Sequence, residues 1–220
     1  IVNGLVGSEM CIRDRVYLRE SLAPHPIYQV GLRMSKFAAS LIFCAILVAG
    51  RPLVACADQN DQRLDQLFAD LQSPLSIATI DDIETKIWAY WTSFPDDESV
   101  ENKMTNATHL MQSGRLQSAE RIFSRIIDRA PDFAEAWNKR ATVRFMIGNH
   151  DGSANDIAKV LQLEPRHFGA LSGLGMIHMR AGNWESALKS YEAAFAIHPY
   201  LSNIETLIDN LRQRLKGRAL

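Results

Sequence analysis

A 34-residue period runs through the second half of this chain. Glycine recurs with this spacing at Gly114, Gly148 and Gly182. Proline recurs with the same spacing at Pro131, Pro165 and Pro199. A repeat of this length is too small to bury its apolar face alone, so successive copies stack into an extended array. The sequence therefore predicts three consecutive repeats, at residues 100–133, 134–167 and 168–201.

Other residues recur at equivalent places inside the repeats. The third repeat supplies Leu171, Leu174, Gly175, His178, Ala187, Tyr191, Ala194 and Pro199. The second supplies Trp137, Ala141, Ile157 and Pro165, and the first supplies Ala107, Leu110, Ala119, Phe123 and Pro131. This pattern resembles the tetratricopeptide repeat (TPR) family, whose unit is a helix, a turn and an antiparallel helix. The resemblance implies an all-α fold, a right-handed superhelical solenoid of helix-turn-helix repeats.

Physical chemistry accounts for these recurring residues. Small residues at the facing positions of the two helices let each hairpin close tightly, and the larger Phe123, Ile157 and Tyr191 fill the space beside them. Each recurring glycine is expected to adopt the left-handed conformation that ends the first helix. Each recurring proline is expected to stop the second helix, because it lacks a donor and clashes with the preceding turn.

Charged or polar residues occupy some positions where the family has apolar ones. Arg140 and Arg144 lie at such positions in the second repeat, and Lys103 and Asn106 lie at such positions in the first. Long charged side chains in these places either extend to the surface or pair with nearby carboxylates. The sequence leaves these two interpretations open.

The segments that flank the repeats also predict helices. Residues 58–99 carry apolar residues at helical spacing in two stretches, which predicts an N-terminal helical pair that shields the first repeat. Residues 202–220 predict a C-terminal capping helix that begins after Ser202, a suitable N-cap residue. An open-ended stack needs such a cap to solvate its last unit.

The first 57 residues are predicted to contain two unrelated pieces. Residues 5–15 match the translation of a transposase-type DNA sequencing adapter, so we expect residues 1–33 to be an artefact of that adapter and of untranslated upstream DNA. From Met34, a short basic segment, an apolar stretch over residues 37–50 and the sequence Ala55-Cys56-Ala57 resemble an export signal over residues 34–57. The pattern predicts cleavage before Asp58 and a periplasmic protein. The alternatives are a lipoprotein anchored to the membrane at Cys56 and a protein retained by an uncleaved N-terminus.

Charge and cysteine content argue against two classes of function. From Asp58 onwards there are 18 lysine and arginine residues against 22 aspartate and glutamate residues, a formal charge of −4. This balance, without a basic stripe, argues against nucleic acid as a partner. All three cysteines precede Asp58, so cleavage there would leave neither a disulfide nor a thiol ligand for a metal.

Sequence motifs for catalysis are missing. The chain contains neither G-x-S-x-G nor H-E-x-x-H, and it lacks the phosphate-binding G-x-x-x-x-G-K-[ST]. Its histidines after Asp58 lie at packing positions or at repeat boundaries, without partners at a metal-ligand spacing. We therefore expect no enzymatic activity, catalytic residue, cofactor, metal site or small-molecule substrate.

The family resemblance implies a binding surface on the concave face, which the first helix of each repeat lines at five recurring positions. All five methionines after Asp58 fall on such positions, and methionine recurs at surfaces that accept varied apolar partners. The implied function is a non-catalytic protein–protein interaction module, an adaptor or assembly factor of the bacterial cell envelope that binds a peptide or helix. The predicted binding residues are Met104, Thr108, Met111, Asn138, Thr142, Phe145, Met146, Ser172, Met176, Met179 and Arg180, in a strip that also includes Glu101 and Glu135. An alternative is Cu(I) handling in the periplasm, because thioethers prefer Cu(I).

Overall fold

The computed structural model describes residues 59–73, 76–95 and 97–217 of the chain. Within these ranges the chain forms nine α-helices and no β-strand, which confirms the all-α prediction. The helices are α1 (Arg63–Asp70), α2 (Ile77–Thr92), α3 (Glu98–Gln112), α4 (Leu116–Arg129), α5 (Ala134–Ile147), α6 (His150–Leu163), α7 (Phe168–Arg180), α8 (Trp184–Ile197) and α9 (Ile204–Lys216). The adapter, the start at Met34, the export signal, the cleavage site before Asp58 and the lipid attachment at Cys56 lie outside the described residues.

Helices α3 to α8 form three successive helical hairpins. Helix α3 packs on α4, α5 on α6 and α7 on α8, and each hairpin also contacts the next one along the chain. The hairpins turn at glycines with positive φ, at +74° for Gly114, +96° for Gly148 and +74° for Gly182, as predicted. Only glycine adopts this conformation without strain.

Prolines mark the end of each hairpin. Helices α4, α6 and α8 end at Arg129, Leu163 and Ile197, each two residues before a recurring proline. Four helices, α2, α3, α6 and α7, begin after a residue whose side chain accepts a hydrogen bond from an amide of the first turn. For example, the carboxylate of Asp97, the residue before α3, accepts a hydrogen bond from the Ser99 amide. The carboxylate satisfies an otherwise free amide, and its negative charge interacts favourably with the positive end of the helix dipole.

Apolar side chains from two successive units share each core cluster. Phe123 and Ile126 of the first hairpin pack in one cluster with Val143 of the second. At the other end, Tyr191 of the third hairpin packs with Ile208 of the capping helix α9. Because no unit completes its core alone, the hairpins stabilise one another by stacking.

A buried ion network replaces apolar packing in the second hairpin. Asp156, 3% exposed in its side chain, accepts from Arg140 Nη2 at 2.7 Å and from Arg144 Nη1 at 2.9 Å. Arg144 also donates to Glu120 at 2.8 Å, and Arg140 donates to Ser124 at 3.1 Å. For Arg140 and Arg144, pairing with carboxylates is therefore the interpretation observed, whereas Lys103 and Asn106 extend to the surface. The network joins α4, α5 and α6 across the repeat boundary.

The N-terminal helical pair α1 and α2 does not shield the first repeat as predicted. Its apolar side chains pack in one cluster with Phe168, Ile197 and Tyr200, which belong to the third repeat. Near the start of the described chain, the Gln59 side chain accepts from the Ala134 amide at 2.7 Å and donates to the Asp132 carbonyl at 2.7 Å. The pair therefore lies along the junctions between repeats, where the second helix of one hairpin ends and the first helix of the next begins.

The start of the capping helix also differs from the prediction. Helix α9 begins at Ile204, and the residue before it is Asn203, in the left-handed conformation at φ +62°. Ser202 makes no N-cap hydrogen bond. Asparagine tolerates this conformation better than most residues, so the turn after the last proline is made by Asn203.

Candidate functional site

The N-terminal segment covers one edge of the concave face. At the first repeat, the Glu101 carboxylate accepts hydrogen bonds from the Ser93 hydroxyl at 3.2 Å and the Phe94 amide at 3.0 Å. At the third repeat, the Trp88 ring lies over Gly169, where an added Cβ would stand 3.2 Å from the indole. This edge is therefore filled by the chain itself.

A buried carboxylate occupies the same edge in the second repeat. Glu135 is fully buried, and its Oε2 lies 2.9 Å from Asn138 Nδ2 and 3.0 Å from His167 Nε2. His167 Nδ1 accepts from the Ala170 amide at 3.1 Å, so the proton on Nε2 is the one donated to the carboxylate. Burial raises the pKa of Glu135, but the charge of Lys139 and the hydrogen bonds from His167 and Asn138 outweigh it and hold that pKa below its usual range.

An aromatic stack fixes this polar cluster from above. The Trp91 ring lies parallel to the His167 ring, with their centroids 4.1 Å apart and their planes at 10°. Trp88 meets Trp91 edge to face at 5.2 Å. Glu135 is fully buried, so the prediction that it belongs to the binding strip is wrong. Glu101 is half-buried and is held by its contacts with Ser93 and Phe94.

The remaining predicted residues fall into buried and open groups. Met104 is 6% exposed and packs in the core of the first repeat, so it offers no surface to a partner. Asn138 is half-buried and is held by Glu135. The open group comprises Thr108, Met111, Thr142, Phe145, Met146, Ser172, Met176, Met179 and Arg180, which are half-buried or exposed. Met146, at 51%, is the most exposed large hydrophobic side chain of this group.

An apolar depression of about 320 Å³ lies at the third-repeat end of this open group. Helices α5, α7 and α8 form its walls through Phe145, Met176, Met179, Arg180, Trp184 and Tyr191. Two thioethers and three aromatic rings provide a soft surface that can adapt to apolar groups of different shapes. The structure thus brings four of the predicted residues together at one place.

Arginines stand beside two of these rings. The Arg180 guanidinium carbon lies 6.0 Å from the centroid of the Phe145 ring, and that of Arg214 lies 4.0 Å from the centroid of the Trp184 ring. Trp184, Tyr191 and Arg214 were not among the residues predicted from the sequence. They belong to α8 and α9, whereas the family pattern assigns the concave surface to the first helix of each repeat.

Tyr191 forms part of the wall of the depression. Burial raises the pKa of its phenol to about 12, so the hydroxyl stays protonated across the physiological range. The residue is 3% exposed, so it offers little of its own surface to a ligand.

Within residues 59–73, 76–95 and 97–217, histidine, cysteine and carboxylate side chains form no group of three or more suited to a metal ion. Among the helices in those ranges, none combines the length and apolar character needed to cross a bilayer.

Comparison with known proteins decides the family. Tetratricopeptide repeat models match residues 104–162 and residues 168–201. A TPR repeat-containing protein of Rhizobium etli is 30% identical over 200 residues, an alignment that covers 85% of this chain and 98% of that protein. The chain is a tetratricopeptide repeat protein. The matched models describe an interaction repeat and not an enzyme family.

Solved structures of other TPR proteins share the superhelical arrangement. The Yersinia enterocolitica type III secretion chaperone SycD, solved with a peptide of the translocator YopD, superimposes with a TM-score of 0.52 at 10% identity, covering 54% of this TPR protein and 95% of SycD. The TPR2B domain of yeast Sti1, solved in a complex with pHsp70, gives a TM-score of 0.50 at 18% identity, covering 54% of this TPR protein and 99% of the Sti1 domain. These likenesses confirm the predicted TPR solenoid.

Proposed function

We propose that this TPR protein is a non-catalytic adaptor or assembly factor, which binds a peptide or helix of another protein in the open part of its concave face. The observation that carries the proposal is the apolar depression beside α5 and α7. It lies open while the opposite edge of the same face is filled by α2 and its flanking residues. SycD and the Sti1 domain are each seen in complex with a partner of this general kind, which supports the proposal.

Binding energy in such a surface is expected to concentrate in a few apolar anchors. Phe145 and Met176 are half-buried in the free protein, so a partner can finish their burial without first displacing a packed core. Thr108 and Met111 extend the surface towards the first repeat. A lysine at an anchor would have to be desolvated on binding, whereas in the free protein its ammonium stays in water.

A random-peptide display library panned against the full chain tests this proposal. We expect selection of peptides whose binding is lost in Phe145→Lys, Met176→Lys and Met111→Lys, while circular dichroism shows that all three variants remain folded. The matched control is Lys189→Glu, a charge change at an exposed residue of α8 outside the depression. If every selected peptide binds the three variants as tightly as the wild type, the concave face is not the binding site.

We also propose that the protein acts in the bacterial cell envelope after export. The support is the sequence of residues 34–57, with its basic start, its apolar stretch and the small residues before Asp58. Intact-mass measurement of the protein recovered from the periplasm should give an N-terminus at Asp58. A lipid-modified Cys56 would show the lipoprotein form, and recovery from the cytoplasm with residues 34–57 intact would contradict export.

The copper alternative gains no support from the side-chain placement. Of the methionines described, Met176 and Met179 are the two that line the depression, and Met104 is buried in the core of the first repeat. Copper sites made of thioethers need more ligands than this pair, so protein binding remains the better proposal.

A further inference from the structure

The depression beside α5, α7 and α8 combines an apolar floor with positive charge. Its two neighbouring arginines, Arg180 on α7 and Arg214 on α9, are both exposed and lie against Phe145 and Trp184. Neither guanidinium forms an ion pair with a carboxylate in the part of the chain that the structure describes. Arg212 on α9 differs, because it is already paired with Glu192 at 2.8 Å.

These two guanidinium groups are positioned by the rings that line the depression. A guanidinium that stacks on an aromatic face keeps its N–H donors free at the edges, so it can still bind a carboxylate in the plane of the fork. The stacking also reduces the rotamer freedom that an arginine otherwise loses on binding. The site therefore offers two pre-positioned cations beside an apolar surface.

The lining contains no negative charge to balance these cations. Its other members are aromatic rings and thioethers, and the open residues towards the first repeat are neutral. A basic or polar uncharged segment would gain nothing from the arginines. Charge complementarity therefore favours a partner that brings carboxylates together with an apolar side chain.

Resting on the function proposed above, we infer that the partner segment is acidic and apolar. It inserts a large apolar side chain between Phe145, Met176 and Trp184. A neighbouring aspartate or glutamate then pairs with Arg180 or Arg214. A volume of about 320 Å³ suits one or two side chains, so the depression is an anchor point within a longer bound segment.

The display selection supplies the test, with sequence composition as its first readout. The selected peptides should be enriched in Asp or Glu next to Leu, Phe, Met or Trp. At least one of the variants Arg180→Gln and Arg214→Gln should weaken a selected peptide about tenfold, because a charge-assisted hydrogen bond is lost. Raising the salt concentration to about 0.5 M should also weaken binding of the peptide to the wild type. The same change in salt should weaken its binding to the glutamine variants by a smaller factor.

Arg212→Gln is the matched control, since it removes a charge from the same helix at a residue that is already paired. It should change affinity by no more than about twofold, as expected for an exposed ion pair. Peptides that need Phe145 but are rich in basic residues, or indifferent to both arginine variants, would overturn the acidic-segment inference and leave the proposed function standing. A selection in which no peptide depends on Phe145, Met176 or Met111 would remove both.

Discussion

Two glycines on helix α7, two residues apart, should respond oppositely to the same substitution. An alanine Cβ at Gly175 would lie 2.7 to 3.0 Å from three ring carbons of Tyr191, which is itself packed against α9. At Gly173 the corresponding Cβ would meet a single atom, Ile157 Cδ1, at 3.4 Å, an ordinary contact. Both positions lie inside the helix, so the higher helix propensity of alanine over glycine stabilises both variants equally.

The expected changes in stability follow from two effects of the added methyl group, its preference for the helix and its crowding of neighbouring atoms. Replacing a glycine by alanine inside a helix contributes about 0.5–1 kcal/mol of stability. Overpacking a tight core costs about 1–3 kcal/mol, because a planar ring cannot move aside as a flexible chain does. Gly175→Ala should therefore lose about 1–2 kcal/mol and Gly173→Ala should gain about 0.5–1 kcal/mol. For a domain of this size, 1 kcal/mol shifts the Tm by about 2–4 °C.

Thermal and urea unfolding followed by far-ultraviolet circular dichroism measure both changes. The sign of the difference between the two variants is the decisive result, since each serves as the control for the other. A Gly175→Ala protein as stable as the wild type would show that the Tyr191 ring yields at little cost. A Gly173→Ala protein that is equally destabilised would show that the close approach to Tyr191 is not what requires glycine on this helix.

Three further predictions concern charged or titrating groups. Asp156→Ala should lower the free energy of unfolding by about 3 kcal/mol, because it leaves two half-buried arginines without their shared partner. Its control is Glu192→Ala, which breaks an exposed pair and should cost less than about 1 kcal/mol when both variants are unfolded in urea. The phenol of Tyr191 should ionise near pH 12 in the folded protein. The stability of the protein should fall as the pH rises from about 10, the pKa of an unfolded tyrosine, towards 12. Ultraviolet difference titration of the wild type against Tyr191→Phe isolates this ionisation. The pKa of Glu135 is lowered in the folded protein, so its contribution to stability is present at neutral pH and is lost as the pH falls through the folded pKa. The difference in unfolding free energy between the wild type and Glu135→Gln should therefore shrink in acid.

Local and periodic features of the fold could be predicted from the sequence. The glycines and prolines that recur every 34 residues fixed the hairpins, because each acts on its own backbone through a conformation that side chains elsewhere cannot change. The start of α9 was missed because both Ser202 and Asn203 are good residues for a helix start. The left-handed turn at Asn203 then decided between them.

Long-range contacts could not be predicted in this way. Arg140 and Arg144 pair with Asp156, a partner 16 and 12 residues away, and nothing in the spacing singles out that carboxylate. The docking of α1 and α2 against the third repeat has no periodic signature at all. The prediction of the binding surface was incomplete for the same reason. Trp184 and Arg214 lie at the depression but belong to helices to which the family pattern assigns no binding role.

The docking of the N-terminal pair also sets an order of events during folding. Ser73 and Glu84 are bonded to Tyr200 and His198, residues 127 and 114 positions further along the chain. Each repeat can form from neighbours in sequence, but the surface on which α1 and α2 dock exists only once the third repeat has folded. Trp91 and Phe68 therefore stay uncovered until that step. Because this long-range contact ties α1 and α2 to the third repeat, we expect the array to unfold as one unit, whereas a simple stack of repeats could fray from either end.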